Sequence, residues 1–367
     1  PESATRPMIP TLRRLVRPLA RTLALCLPLL AGGASQATSA APELRLRVVG
    51  GLAGVSQYAR HERRFWAEDL ARLSGGRYSA SIVPFNEAGL AAQDMLSLVR
   101  LGVIPIGTVL LSQAAVDDPD LGMADMAGQN PDVATLRRTL EALRPSMAQI
   151  LHERFGARLL AVYIYPAQML FCQRPVAHLS DLAGRRVRVS GISQADFVLA
   201  LKATPVFTEF ADIVANVQAG NAECAVTGSM SGHALGLDRV TRSLFTMPIS
   251  WGLALSVVNE QSWRSYPPAL RQLIEAEMPR LEAAVWAESA RETDIGVACS
   301  TGAEGCDRPR KGGMIASRPT EADEARRREI FARRVVPAWM KRCGAQCVAL
   351  WNRTLAAQTG VRAQGPE

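Results

Sequence analysis

The sequence has 367 residues, of which 48% are hydrophobic and 21% charged, and its formal net charge is +8. A chain of this length and composition is typical of a globular protein with more than one compact domain. Its positive charge is almost all arginine, and no basic run is interleaved with aromatic residues, so the sequence does not favour binding to nucleic acid.

The first forty residues have the order of a secretory signal. They contain five arginines, then an apolar stretch at 23–31, then small residues that end at Ala40. The apolar stretch is shorter than the roughly 20 residues of a membrane-spanning helix, so we expect residues 1–40 to be a signal peptide that is cleaved near Ala40. The mature protein, with a formal charge of +4 after the loss of five arginines and one glutamate, is then expected in the periplasm. A lipoprotein attached at Cys26 is the less favoured alternative, because Leu25 is large for the residue before a lipidated cysteine.

Six cysteines follow the signal, and disulfides persist in exported proteins. The close spacing predicts two short disulfide loops in the C-terminal third: Cys299 with Cys306, and Cys343 with Cys347. A zinc site is the alternative, but no histidine lies near these four cysteines. Cys172 and Cys224 are either paired or buried thiols, and the sequence leaves both possibilities open.

Strand-like and helical patterns alternate from residue 44 onward. The order strand, helix, strand repeats, which indicates a layered α/β domain with helices covering a sheet. In chain order, the predicted elements of this first part are a strand at 44–49, a helix at 56–73, a strand at 78–85, a helix at 91–101, a strand at 103–110, a helix at 132–155 and a strand at 158–165.

A second α/β domain is predicted to follow, after which the chain returns to the first. Its predicted strands are at 169–172, 187–189 and 222–227, and its helices at 193–202 and 209–219. The return is a strand-like stretch at 244–258, followed by a helix at 268–293 that Pro279 should kink. A polar loop at 301–319 and helices at 321–342 and 347–358 complete the chain.

A chain that leaves one α/β domain, builds a second and returns has the wiring of a two-lobed clamshell. A ligand is expected between the lobes, where hinge segments allow closure. The predicted organisation is a signal peptide at 1–40, lobe 1 at 41–166, lobe 2 at 167–247, a return to lobe 1 with a long helix at 248–298, and a cysteine-containing helical segment at 299–367.

Several short segments, each weak alone, occur in an order and spacing that resembles the solute receptors of tripartite ATP-independent periplasmic (TRAP) transporters. The resemblance extends roughly over residues 44–297, and its segments are 73–77, Pro84 with Gly89 and Leu90, 98–102, 182–190, 218–228, and 257–259 with Trp263. It implies a periplasmic binding protein clamshell, with hinge strands and a long C-terminal helix across the lobes. It also implies a non-catalytic protein without a cofactor, which captures an organic acid and delivers it to TRAP membrane permease subunits.

The resemblance also assigns roles to single residues. Arg188 matches the family's arginine that forms a bidentate salt bridge with the substrate carboxylate; the local pattern alone favours a surface strand residue. Thr227 falls near a polar ligand contact of many relatives. Gln168 falls near a second arginine of some subfamilies, and Leu111 about where a ligand-contacting acid can stand. Since neither side chain supplies that charge, the sequence favours a monocarboxylate.

Four further residues are candidate ligand contacts because of where they follow predicted elements. Ser190 lies just beyond Arg188, and Ser229 lies in the polar segment 227–232, which is either a cleft-lining loop or an ordinary one. Trp251 is either an apolar wall of the cleft or a core residue. Tyr58 follows the glycine-rich first turn, where a contact from the first lobe is expected.

The sequence shows no assembled catalytic or metal site. Its four histidines are scattered without an H-E-x-x-H pattern, and Met230 stands where a nucleophile elbow requires serine. The glycines at 50, 51 and 54 do not have the spacing of a dinucleotide-binding loop. Two alternatives to the transport receptor remain: a periplasmic ligand-sensing receptor for a membrane signalling protein, and an exported α/β enzyme.

Overall fold

The structure is a computed structural model that describes residues 44–364. The predicted signal peptide, its cleavage site and Cys26 lie outside the described residues. Within the described part of the chain, no helix has the length and apolar character needed to cross a membrane.

Two β-sheets form the centre of the protein. In chain order, the strands of the described residues are β1 (Leu44–Gly50), β2 (Tyr78–Pro84), β3 (Ile106–Leu110), β4 (Ala157–Ile164), β5 (Gln168–Cys172), β6 (Arg186–Val189), β7 (Thr204–Phe207), β8 (Cys224–Gly228), β9 (Ser243–Ser250), β10 (Leu253–Asn259) and β11 (Ile315–Ser317). The first sheet has the order β2-β1-β3-β10-β4, and the second has the order β11-β9-β5-β8-β6-β7. We name the first lobe after the first sheet and the second lobe after the second sheet.

Helices cover these sheets. The α-helices of the described residues are α1 (Leu70–Leu73), α2 (Met95–Arg100), α3 (Leu111–Asp117), α4 (Val133–Phe155), α5 (Ile192–Ala200), α6 (Ile213–Gln218), α7 (Ser229–Leu235), α8 (Glu260–Ser265), α9 (Pro268–Thr301), α10 (Glu321–Ile330), α11 (Val336–Cys343), α12 (Ala345–Thr354) and α13 (Ala356–Thr359). Segments Gln57–Glu62, Phe65–Asp69 and Phe331–Val335 are π-helical.

The chain crosses between the sheets three times, the last time from β10 through α8 and α9 to β11. It passes from β4 to β5 through residues 165–167 and returns from β9 to β10 through Trp251 and Gly252. The strand-like stretch predicted at 244–258 is therefore divided at this turn into β9 and β10, and it returns to the first sheet as predicted. Gly252 has a φ of +73°, and the backbone N–H groups of Trp251 and Gly252 donate to the carboxylate of Asp125 instead of to a neighbouring strand. The result is a two-sheet α/β clamshell in which β10 pairs antiparallel with both β3 and β4.

The long helix α9 packs against both lobes. Trp286 Nε1 donates to the carbonyl of Val162 at 2.9 Å, on β4 of the first lobe. Further along α9, Gly296 lies against the backbone of Met230 in α7, where a Cβ atom would meet the Met230 nitrogen. The helix continues past the predicted end at 293 to Thr301, because the first residue that breaks it is Gly302, with a φ of +76°. The predicted long C-terminal helix is therefore confirmed, and its length was underestimated.

All six described cysteines are paired. The two predicted disulfides, Cys299–Cys306 and Cys343–Cys347, are confirmed. Cys172 and Cys224, which the sequence left open, face each other on β5 and β8 and form a third disulfide. These pairings exclude the alternative of a cysteine zinc site.

Other differences from the predicted elements have local causes. The segment 227–232 is not a loop: α7 begins at Ser229, packs on α9 and ends at Gly236, with a φ of +83°. The helix predicted at 321–342 is divided by the π-helical segment Phe331–Val335. The short strands β7 and β11 were missed because each is an edge strand with little buried apolar alternation.

Candidate functional site

A cavity of about 330 Å³ lies between the two lobes. The first lobe contributes the loop after β1, the start of α3 and the segment before α4. The second lobe contributes the ends of β5, β6 and β8 and the start of α5. The polar side chains of its wall include Gln93, Ser112, Gln113, Asp125, Gln168, Arg188, Ser190, Gln194, Thr208, Thr227, Ser231 and Ser250.

Arg188, on β6, is the central charged group of this wall and is 4% exposed. Its Nε and Nη2 donate to the carbonyl of Thr208 at 3.0 and 2.8 Å, and its Nη1 donates to the carbonyl of Val226 at 2.8 Å. A guanidinium has five N–H donors, so two remain, one on each terminal nitrogen. Val226 on β8 and Thr208 just after β7 therefore hold the side chain in place and leave one donor on each terminal nitrogen, and the N–H donors of an arginine are well suited to bind a carboxylate.

No carboxylate of the described residues lies within 4.0 Å of the Arg188 guanidinium. Burial lowers its pKa to about 10, and the charge of the nearby Glu209 opposes that shift only in part. The guanidinium is thus still charged at neutral pH. Because buried charges in proteins are ordinarily paired, an unpaired buried arginine on a cavity wall marks a site for an anion.

Beside Arg188, a network of amide and hydroxyl groups joins β5, β9 and the start of α5. The Ser190 backbone N–H donates to Gln194 Oε1 at 2.8 Å. Gln194 Nε2 in turn donates to Ser250 Oγ at 2.8 Å and to Gln168 Oε1. The Ser250 hydroxyl also donates to Gln168 Oε1, at 3.0 Å. The network fixes the side chain of Gln168 on the cavity wall.

Asp125 connects the cavity to the crossing between the sheets. Its carboxylate accepts hydrogen bonds from the backbone N–H groups of Trp251 at 3.1 Å and Gly252 at 2.7 Å. Burial raises its pKa to about 6, although these hydrogen bonds favour the charged form. Asp125 is therefore mainly ionised at neutral pH, and both of its carboxylate oxygens accept hydrogen bonds from the backbone between β9 and β10.

The C-terminal segment also reaches the cavity, through α11. Trp339 Nε1 donates to the carbonyl of Pro119 in the first lobe at 2.7 Å. One turn further, Arg342 pairs with Asp196 on α5 of the second lobe, at 3.2 and 2.6 Å. Both Trp339 and Arg342 line the cavity, so α11 lies across its edge and contacts both lobes.

The structure brings four of the predicted site residues together and places three elsewhere. Arg188, Gln168, Thr227 and Ser190 line the cavity. The other three residues do not line the cavity. The Ser229 hydroxyl donates to backbone carbonyls of α9, and Trp251 Nε1 donates to the backbone carbonyl of Asn130 in the core. Tyr58 packs against Gly50. Of the two possibilities given for Trp251, a cleft wall or a core residue, the structure shows the core residue.

Sequence reasoning missed Gln194, Asp125, Trp339 and Arg342. Gln194 lies four residues after Ser190, at the start of the helix that follows Arg188. This closeness to Arg188 in sequence is the local feature that could have indicated a place on the cavity wall. The other three reach the cavity from segments distant in sequence. They carry no pattern that distinguishes them from surface or core residues.

One group of described residues has the proximity needed for metal binding, namely Asp120, Cys343 and Cys347. The two cysteines form a disulfide with each other, and Asp120 pairs with Arg154 at 2.7 Å. A metal ion would have to replace both interactions, so these residues do not fit a metal site.

Solved structures with the same fold are solute receptors. DctP7 of Bordetella pertussis, an extracytoplasmic solute receptor binding pyroglutamic acid, is 19% identical with a TM-score of 0.75, over 84% of this chain and 98% of that one. A TRAP periplasmic solute binding protein from Desulfovibrio salexigens with bound orotic acid is 15% identical with a TM-score of 0.75, over 86% and 98%. The apo open structure of a TRAP protein from Marinobacter aquaeolei VT8 is 22% identical with a TM-score of 0.71, over 85% and 99%. At these identities the likeness establishes the fold.

The family is established by the sequence itself. No curated protein sequence matches the chain. The model of the DctP family, described as bacterial extracellular solute-binding protein family 7, matches residues 54–297, which is more than half of the chain. The protein therefore belongs to this family of TRAP-type solute receptors, whose members are binding proteins and not enzymes.

Proposed function

We propose that this protein is a periplasmic receptor that binds a small monocarboxylic acid between its lobes and delivers it to the membrane permease of a TRAP transporter. The observation that carries the proposal is the buried Arg188, which has two N–H donors left and no carboxylate partner among the described residues. A ligand carboxylate would supply the missing charge. Closure of the lobes would then exclude water and strengthen the ion pair.

The charges on the cavity wall favour one carboxylate over two. Two arginines line the described wall, and Arg342 is already paired with Asp196. The remaining acids oppose a second anion: Asp125 is ionised at neutral pH, and Glu209 lies near Arg188. A second ligand carboxylate would therefore be desolvated without a cation to compensate it.

Relatives with this fold support the class of ligand. The receptors from Bordetella pertussis and from a marine metagenome bind pyroglutamate, which has one carboxylate, whereas two others carry the dicarboxylates succinate and malonate. The relatives therefore support an organic acid, and the preference for one carboxylate rests on the charges of the cavity wall. The order of a secretory signal in residues 1–40 supports export and cleavage near Ala40. Membership of the solute-binding family supports delivery to a TRAP permease.

The test is a thermal-shift screen of the protein from Ala41 onward against monocarboxylates, dicarboxylates, amino acids and sugars. A ligand that binds only the native state raises the apparent melting temperature by mass action. We expect the largest shift with one class of monocarboxylate, no shift in Arg188→Ala, and an unchanged shift in Arg186→Ala. Arg186 is the matched control, because it lies on the same strand, is exposed, donates to the carbonyls of Gly220 and Asn221 and pairs with Glu223, and does not line the cavity.

Circular dichroism of each variant separates loss of the site from loss of the fold. A shift with acids that persists in a folded Arg188→Ala variant would show that the carboxylate binds elsewhere. A shift with sugars alone would contradict the proposed ligand class. Uptake of the identified acid in cells with and without the permease genes tests delivery.

A further inference from the structure

Gln168 is the first residue of β5, where the chain enters the second lobe. It lies opposite Gly228 and Ser250 on the neighbouring strands and lines the cavity together with Arg188. It therefore belongs to the wall of the carboxylate site but carries no charge. What it offers to a ligand depends on which end of its amide faces the cavity.

A backbone N–H fixes that orientation. The Ser190 N–H can only donate, so the atom of Gln194 that it contacts at 2.8 Å must be the oxygen. The opposite end of the Gln194 amide is then the NH₂ group, which donates to Gln168 and Ser250. The atom of Gln168 that accepts this bond must in turn be its oxygen.

The oxygen of Gln168 is thus used within the protein. It accepts from both Gln194 Nε2 and the Ser250 hydroxyl. No group among residues 44–364 accepts a hydrogen bond from Gln168 Nε2, and this nitrogen is not sealed from solvent. It lies against Gly252, where a Cβ atom would be 2.5 Å from Nε2, so the glycine leaves room for the NH₂ group at the cavity wall.

Other groups near Gln168 do not change which end of its amide faces the cavity. Asp125, an acid that also lines the cavity, already accepts hydrogen bonds from the N–H groups of Trp251 and Gly252. Gln194 and Ser250 are 4% and 3% exposed, so their hydrogen bonds are shielded from water. Turning the Gln168 amide around would place two NH₂ groups against each other in this buried network, which is unfavourable.

From this geometry we infer that Gln168 is a donor-only specificity residue, and that Gln194 is the positioning residue that fixes its direction. The inference rests on the proposed binding of a carboxylate at Arg188 and adds the second recognition element. The Gln168 NH₂ group suits a neutral oxygen of the ligand, either a carbonyl or a hydroxyl. It rejects an ammonium group at the same place, because two donors would face each other in a desolvated cavity.

The test uses pairs of acids with one carbon skeleton, in which the same carbon bears either a hydroxyl or an ammonium group. The pairs are lactate and alanine, 3-hydroxybutyrate and 3-aminobutyrate, and 4-hydroxybutyrate and 4-aminobutyrate. Affinities are measured by isothermal titration calorimetry. For the spacing that fits the cavity, we expect the oxygen-bearing acid to bind at least about tenfold more tightly than its amino partner.

Three variants separate the role of the amide direction from other effects. Gln168→Leu removes the donor without adding charge, and should reduce the preference to nearly one. Gln194→Glu can accept from Ser190 but cannot donate to Gln168, so the Gln168 amide should turn its oxygen to the cavity and reverse the preference. Gln113→Glu is the matched control: it adds the same charge at the cavity wall but lies outside the Gln168 network, since its Nε2 contacts the Ser190 carbonyl. It should change the preference less than Gln194→Glu does.

The outcomes distinguish this inference from the proposed function. If no acid binds in a manner that depends on Arg188, the proposed function fails. If acids bind through Arg188 but the hydroxy and amino partners bind equally, or if Gln168→Leu keeps the full preference, the inference about Gln168 is wrong and the proposed function stands. Equal effects of Gln194→Glu and Gln113→Glu would show that charge, and not amide direction, sets the preference.

Discussion

Glu62 is a carboxyl group buried in the first lobe, on the inner face of the π-helical segment Gln57–Glu62, and it is 2% exposed. The Gly51 N–H donates to its Oε2 at 2.7 Å, and the Thr108 hydroxyl donates to its Oε1. Burial raises its pKa from 4.5 to about 7, because these two hydrogen bonds only partly offset the loss of hydration. The folded state therefore holds this proton more tightly than the unfolded chain does. Glu62 favours folding below pH 4.5, and this contribution is lost as the pH rises through about 7.

We predict that Glu62→Gln removes this pH dependence. Its oxygen can accept from Gly51 and its NH₂ group can donate to Thr108, so the buried groups stay satisfied without a charge. Relative to this variant, the unmodified protein should lose on the order of 3 kcal/mol of unfolding free energy between about pH 4 and about pH 8. Urea unfolding at several pH values measures the difference, and Glu68→Gln, at an exposed position on the next turns, is the control. Parallel pH profiles for Glu62→Gln and the unmodified protein would contradict the prediction.

Arg186 and Arg188 show what could and could not be predicted at the scale of a residue. Both lie on β6 with the same strand alternation, and the resemblance to TRAP receptors selected Arg188. The difference between them comes from partners distant in sequence, the carbonyls of Thr208 and Val226, which bury Arg188 and direct it. The same reason explains why Gln194 was missed: its role depends on Gln168, 26 residues away, and on Ser250, 56 residues away.

At the scale of elements, the three disulfides close loops of very different length. Cys172–Cys224 joins β5 to β8 across 52 residues, whereas Cys343–Cys347 joins the end of α11 to α12 across 4 residues. In the chain-entropy model, a crosslink stabilises the folded state by restricting the unfolded chain, and the restriction grows with loop length. The sheet disulfide should therefore contribute more stability than the terminal one.

We predict that replacing both Cys172 and Cys224 with alanine lowers the unfolding free energy by roughly 4 kcal/mol, and that the same change at Cys343 and Cys347 lowers it by roughly 2 kcal/mol. Urea unfolding under oxidising conditions measures both losses. With a reductant present, the unfolding free energy of the unmodified protein should fall below that of either variant under oxidising conditions, because all three disulfides are then open. Equal losses in the two variants would show that loop length does not determine the contribution of these disulfides.

Most elements could be predicted from the sequence because their patterns are local. The helix at 132–155 is confirmed as α4: Asp132 caps it by accepting the Thr135 N–H at 2.7 Å, and Gly156 ends it with a φ of +54°. The break between β9 and β10 could not be predicted, because Asp125, which holds the N–H groups of that turn, is 126 residues from Trp251. Apolar alternation continues through the turn, and so the pattern alone indicates one strand.

At the scale of the whole molecule, several helices of the described residues contact both lobes, and α9 and α11 are two of them. The helix α9 packs along β4 and α7, and α11 lies across the edge of the cavity. On α11, Trp339 is bonded to Pro119 of the first lobe and Arg342 to Asp196 of the second. If the lobes separate to release a ligand, α11 can move with only one of them. Either the contact of Trp339 with the first lobe or the contact of Arg342 with the second lobe must then break. The pair formed by Arg342 and Asp196 is the more exposed, with 28% of the arginine side chain accessible.

We predict that Arg342→Ala weakens ligand binding by about 3- to 10-fold, mainly through faster release, because the closed arrangement loses a partly buried ion pair. The acid identified in the thermal-shift screen serves as ligand, and stopped-flow intrinsic tryptophan fluorescence, to which Trp339 at the cavity edge contributes among six tryptophans, gives the association and dissociation rates. The association rate should change little, since Arg342 is paired and does not attract the ligand directly. Lys341→Ala is the matched control: this neighbour lies on the same helix and is exposed, and its loss should leave both rates unchanged. Slower association with unchanged release in Arg342→Ala would instead indicate that Arg342 contacts the ligand, and a monocarboxylate would then no longer be the favoured class.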